Sequence, residues 1–131
     1  MATENLDGIY SYPAAADYRT NQYNFVTVNS SGRAALVGTA GVAVAGVLHN
    51  APDVYTVTPV QMARVVQAHG VVVKVKLGGT VAVGGTMSTN ATGKAVTSVT
   101  SGHIILGYFL QAGVSGDIVS ALFVGYAGTI P

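Results

Sequence analysis

Cysteine and tryptophan are both absent from the 131 residues. Without cysteine the chain has no disulfide framework, no thiol nucleophile and no thiolate zinc site. Charge is scarce too: six basic and five acidic residues leave a formal net charge of +1. That is no electrostatic footprint for nucleic acid or anionic lipid, so neither a nucleic acid nor a membrane is an expected partner. The longest uncharged apolar stretch, Ala34–Leu48, is interrupted by Gly38, Thr39, Gly41 and Gly46. It falls short of the ~18–20 apolar residues that carry a helix across a bilayer. Met1–Asn5 offers no basic segment with an apolar run behind it, which predicts no secretory signal.

What is present is a 50% hydrophobic content beside only 8% charged residues, where a soluble domain averages about 25% charged. Mean hydropathy is +0.48. A surface with so few charges has little to hold it apart from other surfaces, and this predicts a chain that works within an assembly. The length suits one domain, able to bury roughly 65–70% of its unfolded surface. Valine, threonine and 17 glycines, with turn signals every several residues, predict an all-β fold: a small β-barrel or β-sandwich.

Residues 1–22 carry no period of either kind and are read as an extended N-terminal arm, with residues 23–131 as a single β-rich body. The arm holds Pro13, the run Ala14-Ala15-Ala16 and the aromatics Tyr10, Tyr12 and Tyr18, with Tyr23 just beyond. Disordered segments are poor in aromatics, whereas tyrosines anchor interfaces. The arm is therefore expected to dock, on a neighbour or on its own body, through Tyr10, Tyr12, Pro13, Tyr18 and Tyr23. Strands are expected over 23–29, 34–37, 42–48, 71–77, 80–83, 87–89, 95–99, 104–111 and 118–124. In Val71–Leu77 the alternation turns Val71, Val73, Val75 and Leu77 one way and Val72, Lys74 and Lys76 the other. Residues 54–68 fit either a helix or a strand, and their short flanking strands favour β.

A displacement of 61 residues sets Asn29-Ser-Ser-Gly32-Arg33-Ala34 on Asn90-Ala-Thr-Gly93-Lys94-Ala95. Gly41 then falls on Gly102, Gly46 on Gly107 and Ala51 on Ala112. Two explanations stand: convergence on common turn chemistry, or two copies of one supersecondary unit closing on each other.

No constellation carries an expected catalytic, cofactor or metal site. Thr92-Gly93-Lys94 lacks the upstream glycine and the following hydroxyl of a phosphate loop. Asp53 and Asp117 would be neighbours if the repeat is real, but an aspartate before a strand is ordinary turn chemistry. His49, His69 and His103 share no ligand spacing. Ser101-Gly102-His103 has no nucleophile elbow around it. Lys74 and Lys76 share one strand face, as lysines that keep a sheet soluble often do.

Several segments in order carry a family likeness: Tyr10-Ser-Tyr-Pro13-Ala-Ala-Ala-Asp17, Gln22-Tyr-Asn-Phe-Val26 and Val28-Asn-Ser-Ser-Gly32. The later pieces are Val73-Lys-Val-Lys-Leu-Gly-Gly79 with Thr80-Val-Ala-Val-Gly-Gly85, then Thr89–Val96, Ile105–Gly107 and Gly116–Val119. Together they resemble the capsid decoration (cement) proteins of tailed phages. The chain departs from that pattern at Gly84-Gly85-Thr86, where similar sequences carry Gly-Asp, and over 55–69. The resemblance implies a non-enzymatic structural protein without cofactor, on the outer surface of an icosahedral head at capsomer junctions. Its implied partner is the major capsid protein, and its implied state a homo-oligomer, with a trimer favoured and a dimer possible. It would be made in the host cytoplasm and reside in the virion. The arm would lie across neighbouring capsid subunits, so that deleting residues 1–22 leaves a folded body that no longer binds shells. Two other classes remain: a carbohydrate-binding or adhesive β-domain, and a small hydrolase using Asp53 or Asp117.

Overall fold

The computed structural model describes residues 8–53 and 62–131. Turn residues recur too often for long strands, and among the described residues the extended runs between them form ten short ones. The first five are β1 (Ile9–Pro13), β2 (Phe25–Val28), β3 (Ala34–Leu36), β4 (Gly46–Leu48) and β5 (Met62–Val66). The second five are β6 (Val71–Lys76), β7 (Thr86–Thr89), β8 (Ala95–Val96), β9 (Gly107–Phe109) and β10 (Ile118–Phe123). Among the described residues there is no helix, so the fold is all-β as expected.

The strands form two antiparallel sheets, ordered β1-β5-β4-β2-β3 and β6-β10-β9-β7-β8. These orders are the same order, and the registers repeat with them. Phe25–Val47 in the first sheet recurs as Thr86–Tyr108, Val47–Val66 as Tyr108–Leu122, and Pro13–Met62 as Lys76–Ile118. Each sheet also curls toward closure in the same way. Ala14, just past β1, bridges Ala34 of β3, and Leu77, just past β6, bridges Ala95 of β8. Of the two explanations for the sequence repeat, the second holds: the chain is two copies of one five-stranded unit.

The turn that betrayed the repeat works identically in both copies. Asn29 Oδ1 accepts from the backbone N–H groups of Ser31 and Arg33, both at 3.0 Å. Asn90 Oδ1 accepts from those of Thr92 and Lys94 at 3.0 and 2.9 Å. Each asparagine thus satisfies two turn donors that would otherwise need water. Gly46 and Gly107 also share one cause. A Cβ at Gly46 would stand 2.1 Å from the Val66 carbonyl oxygen, and one at Gly107 1.9 Å from that of Leu122. Only glycine lets the crossing strand approach so closely.

Each unit has its own interior. Ala14, Val26, Ala34, Leu48, Ala63 and Val65 fill the first, joined by Tyr18. Their repeat counterparts Leu77, Met87, Ala95, Phe109, Val119 and Ala121 fill the second, within a larger cluster that also takes Phe25, Val37 and Val47 from the first unit. Phe25 and Phe123 meet there with ring centroids 6.4 Å apart, so the two units share a core. β6 shows the expected alternation: Val73, Val75 and Leu77 are buried, Val72 and Lys74 exposed.

The structure bears on three expectations, of which the strand over 80–83 needs correction. Of the arm's two expected docking places, the described part, residues 8–22, takes the chain's own body: β1 pairs along its full length with β5, Ala14 is fully buried and Tyr18 is 5% exposed. The extended, apolar Ile9–Ala14 segment completes the first sheet, so the boundary after Gln22 separates nothing, and deleting residues 1–22 would open that sheet. Residues 80–83 form no strand, only a bridge from Val81 to Gly113, because the glycine pairs on both sides turn the chain too soon. Of residues 54–68, Met62–Val66 is the β-strand β5, while 54–61, like 1–7 of the arm, lie outside the described residues.

Candidate binding groove

Where the edge strand β6 of the second unit runs past the outer face of the first, the surfaces do not close completely. They leave an open, largely apolar groove of about 460 Å³, lined by Ile9, Val47 and Val66 on one wall and Val71–Lys74 on the other. Tyr23, His49 and Ser120 stand at its polar end. A second, shallower recess continues from Tyr23, Lys74 and Ser120 toward Gln111 and Ile118.

Tyr23 organises this end. Its ring meets the His49 ring edge-on at 6.4 Å, and Lys74 Nζ lies 6.0 Å from its centroid. Its backbone is φ 69°, the one positive value on a non-glycine residue among those described. The fold locks that conformation from both sides: Tyr23 N–H donates to Leu48 O at 2.7 Å, and Lys76 N–H donates to Tyr23 O at 3.1 Å. At the equivalent place in the second unit stands Gly84, φ 79°, whose N–H donates to Phe109 O at 2.7 Å. The repeat therefore calls for glycine, and the first unit carries a tyrosine at a cost of roughly 1–2 kcal/mol. Strain of this kind persists where a side chain has work to do.

The five residues expected to touch a partner do not form one site. Tyr10 and Tyr12 stack on β1 with centroids 5.1 Å apart, and the Tyr12 hydroxyl donates to Gln67 Oε1 at 3.2 Å. Pro13 lies beside them on an edge strand, where its missing N–H breaks no ladder. Tyr18 is a core residue, its hydroxyl oxygen accepting from Leu36 N–H at 3.1 Å. Tyr23 alone lies in the groove. His49 and Lys74 were not among the expected partner residues; extending the self-alignment back from Asn29 sets Tyr23 against Gly84, the signal that singles out this spot.

The other candidates are engaged locally. Asp17 bonds Arg19 through both carboxylate oxygens and also accepts from its backbone N–H at 3.0 Å. Arg19 Nε lies 3.9 Å from Asp53. The side-chain bonds to Arg19 hold the Asp17 carboxyl at about 2, below its ordinary 3.8. Asp117 closes its own turn by accepting from Val114 N–H at 2.9 Å. His69 packs edge-on to Phe123. His103 Nδ1 lies 2.7 Å from Ser98 Oγ, and its ring occupies the space a side chain at Gly41 would need. Among the described residues, no group of three or more His, Cys, Asp or Glu is placed to hold a metal.

No family model matches the chain, and none of the curated proteins matches it. Among solved structures, it is similar to the N base of the head fiber gp8.5 of bacteriophage phi29. The TM-score is 0.70 at 14% identity, covering 90% of this chain and 94% of that one. The likeness shows a shared fold.

Proposed function

We propose that this chain is a structural protein of a phage head. It binds the outer surface of the icosahedral shell at junctions between capsomers and stabilises it, with the major capsid protein as partner. No catalytic step or cofactor enters this reading. The observation that carries it is the fold likeness, over nearly the whole of both chains, to the base of a phage head fiber.

The surface chemistry supports the reading. With a net charge of +1, neither long-range attraction nor repulsion dominates, so short-range apolar fit must supply recognition. The groove offers that fit beside Tyr23, an aromatic anchor of the kind that dominates interfaces. Stabilisation follows from mass action, because a ligand of the assembled shell that ignores free subunits opposes disassembly. Repetition over the shell multiplies modest single contacts.

The test is to fractionate a lysate of the source on a density gradient and locate the chain by mass spectrometry. Recovery in virus-sized particles, at a copy number in fixed ratio to the major shell protein, is expected. Recovery in the soluble fraction alone would overturn the proposal, and binding on a glycan array would then favour the adhesive alternative.

A further inference from the structure

β6 is the edge strand of the second sheet, and it borders the groove with its outward side unpaired. In an antiparallel pair, alternate residues turn their backbone groups toward the partner strand and away from it. Leu77 N–H donates to Asp117 O at 2.8 Å, and these two residues continue the β6–β10 register. Val75, Val73 and Val71 therefore face β10, while Lys76, Lys74 and Val72 face away. Lys76 N–H shows the direction by donating to Tyr23 O at 3.1 Å. Lys74 and Val72 follow on the same edge, and among the described residues nothing bonds their N–H and C=O groups.

The first unit shows how such an edge is closed. Gln67 N–H donates to Gly8 O at 2.7 Å, which by the same reasoning turns Ile9, Ser11 and Pro13 of β1 outward. Pro13, at the register position of Lys76, has no N–H to offer and blunts the edge. β6 carries lysines in place of that proline. Like charges across a strand pair repel, so Lys74 and Lys76 oppose pairing with the β6 edge of a second copy. The same charges favour an acidic strand.

We infer that the β6 edge is a strand-addition site, completed by one extended segment of a partner in which apolar and acidic side chains alternate. The shell-binding reading, on which the inference rests for its source, makes this a segment of the major capsid protein. Added antiparallel, like every other neighbour in the sheet, it places one residue opposite Lys74 and another opposite Val72, each exchanging main-chain bonds in both directions.

The pleat then sets the side chains. Residues between those two point inward, beside Val71 and Val73 and over Ile9, Val47 and Val66, and must be apolar. The residue opposite Lys74 points outward, where a carboxylate meets the exposed ammonium group, and no carboxylate of the chain lines the groove to compete for it. The residue opposite Val72, which is 64% exposed, tolerates either kind. Tyr23 closes the far end, its carbonyl on Lys76 and its ring 6.0 Å from Lys74 Nζ, so the added strand continues the line that Tyr23 begins.

The experiment uses the full chain and a synthetic peptide, without shells, so its failure and failure of the shell-binding reading are seen separately. In the free chain the Val72 and Lys74 amides should exchange with solvent far faster than those of Val73 and Val75. The probe is a blocked peptide alternating valine and glutamate. It should shift the Val72 and Lys74 amide signals in NMR spectra and slow their exchange. N-methylation of its glutamates, whose N–H groups face β6, should abolish these effects, while N-methylation of its valines should leave them. Lys74→Glu should weaken the glutamate peptide about tenfold, since an opposite-charge pair becomes a like-charge one, and should favour a valine–lysine peptide instead. Protected Val72 and Lys74 amides in the free chain would give the edge to another part of the chain or to a second copy, and overturn the inference. A glutamate peptide that leaves both amides untouched, binding that survives methylation of the glutamates, or a preference unchanged by Lys74→Glu would each overturn it too.

Discussion

At position 23 the chain spends stability that the same position in its other half keeps. Tyr23 and Gly84 share a positive φ and an equivalent N–H bond, to Leu48 O and Phe109 O respectively, so each reports on the other. Replacing Tyr23 by glycine or by alanine removes the same ring, but only glycine relieves the backbone. Tyr23→Gly should therefore exceed Tyr23→Ala in stability by roughly 1–2 kcal/mol, read as a shift in the urea midpoint at constant slope. The mirror change Gly84→Ala should cost a similar amount, since a Cβ there meets nothing within 4 Å and the penalty is conformational alone. An alanine variant as stable as the glycine one would mean that Tyr23 is not held left-handed. Residue-scale chemistry was also the most legible in the sequence. Asn29 and Asn90 announced their turns because few side chains can bond two backbone donors at once. Tyr23 did not announce its strain, because nothing in a tyrosine's own chemistry signals a positive φ.

The elements were legible where one face is dry and the other wet, as in β6, whose alternation reads directly as buried and exposed positions. They were poorly legible where backbone contacts decide. β1 has no apolar alternation, since its middle residue Ser11 is exposed and its flanking residues are half-buried. It is a strand because β5 offers it a partner edge, a long-range fact that local pattern does not contain. The segment after β1 shows the same dependence. Asp17 and Arg19 are both exposed and paired with each other, and Arg19 also reaches Asp53, clasping the connection as it leaves Tyr18. The side-chain bonds to Arg19 lower the Asp17 carboxyl to about 2. A group depressed in the folded state contributes stability above its ordinary range, and loses that contribution as pH falls from about 4 toward 2. With both groups in water the energetic effect is small, but the titration itself is readable. Carboxyl NMR should place the Asp17 midpoint near 2, and Arg19→Ala should raise it toward 3.8. A midpoint unmoved by Arg19→Ala would show that the pair does not form in solution.

As a whole molecule the chain is a duplicated unit whose copies have ceased to be interchangeable. The first lends Phe25, Val37 and Val47 to the second unit's core, so the second unit's interior is not complete without the first. Two separate barrels would unfold in two steps, whereas a shared core makes them unfold as one. Phe25 is the residue to test, because it belongs to the first unit's β2 while its ring lies 6.4 Å from Phe123 of the second. Phe25→Ala should cost about 3–5 kcal/mol, the usual loss for a buried phenylalanine. The loss should fall on both units alike. Native-state hydrogen exchange measures this directly, since the slowest amides of β4 and β10 should lose the same protection free energy. If β10 kept its full protection while β4 lost it, the units would be independent domains joined by a tether. The sequence repeat suggested two units closing on each other; how tightly they are coupled depends on where one phenylalanine ring goes. The displacement of 61 residues that sets Phe25 on Thr86 already marks the place where the symmetry was given up.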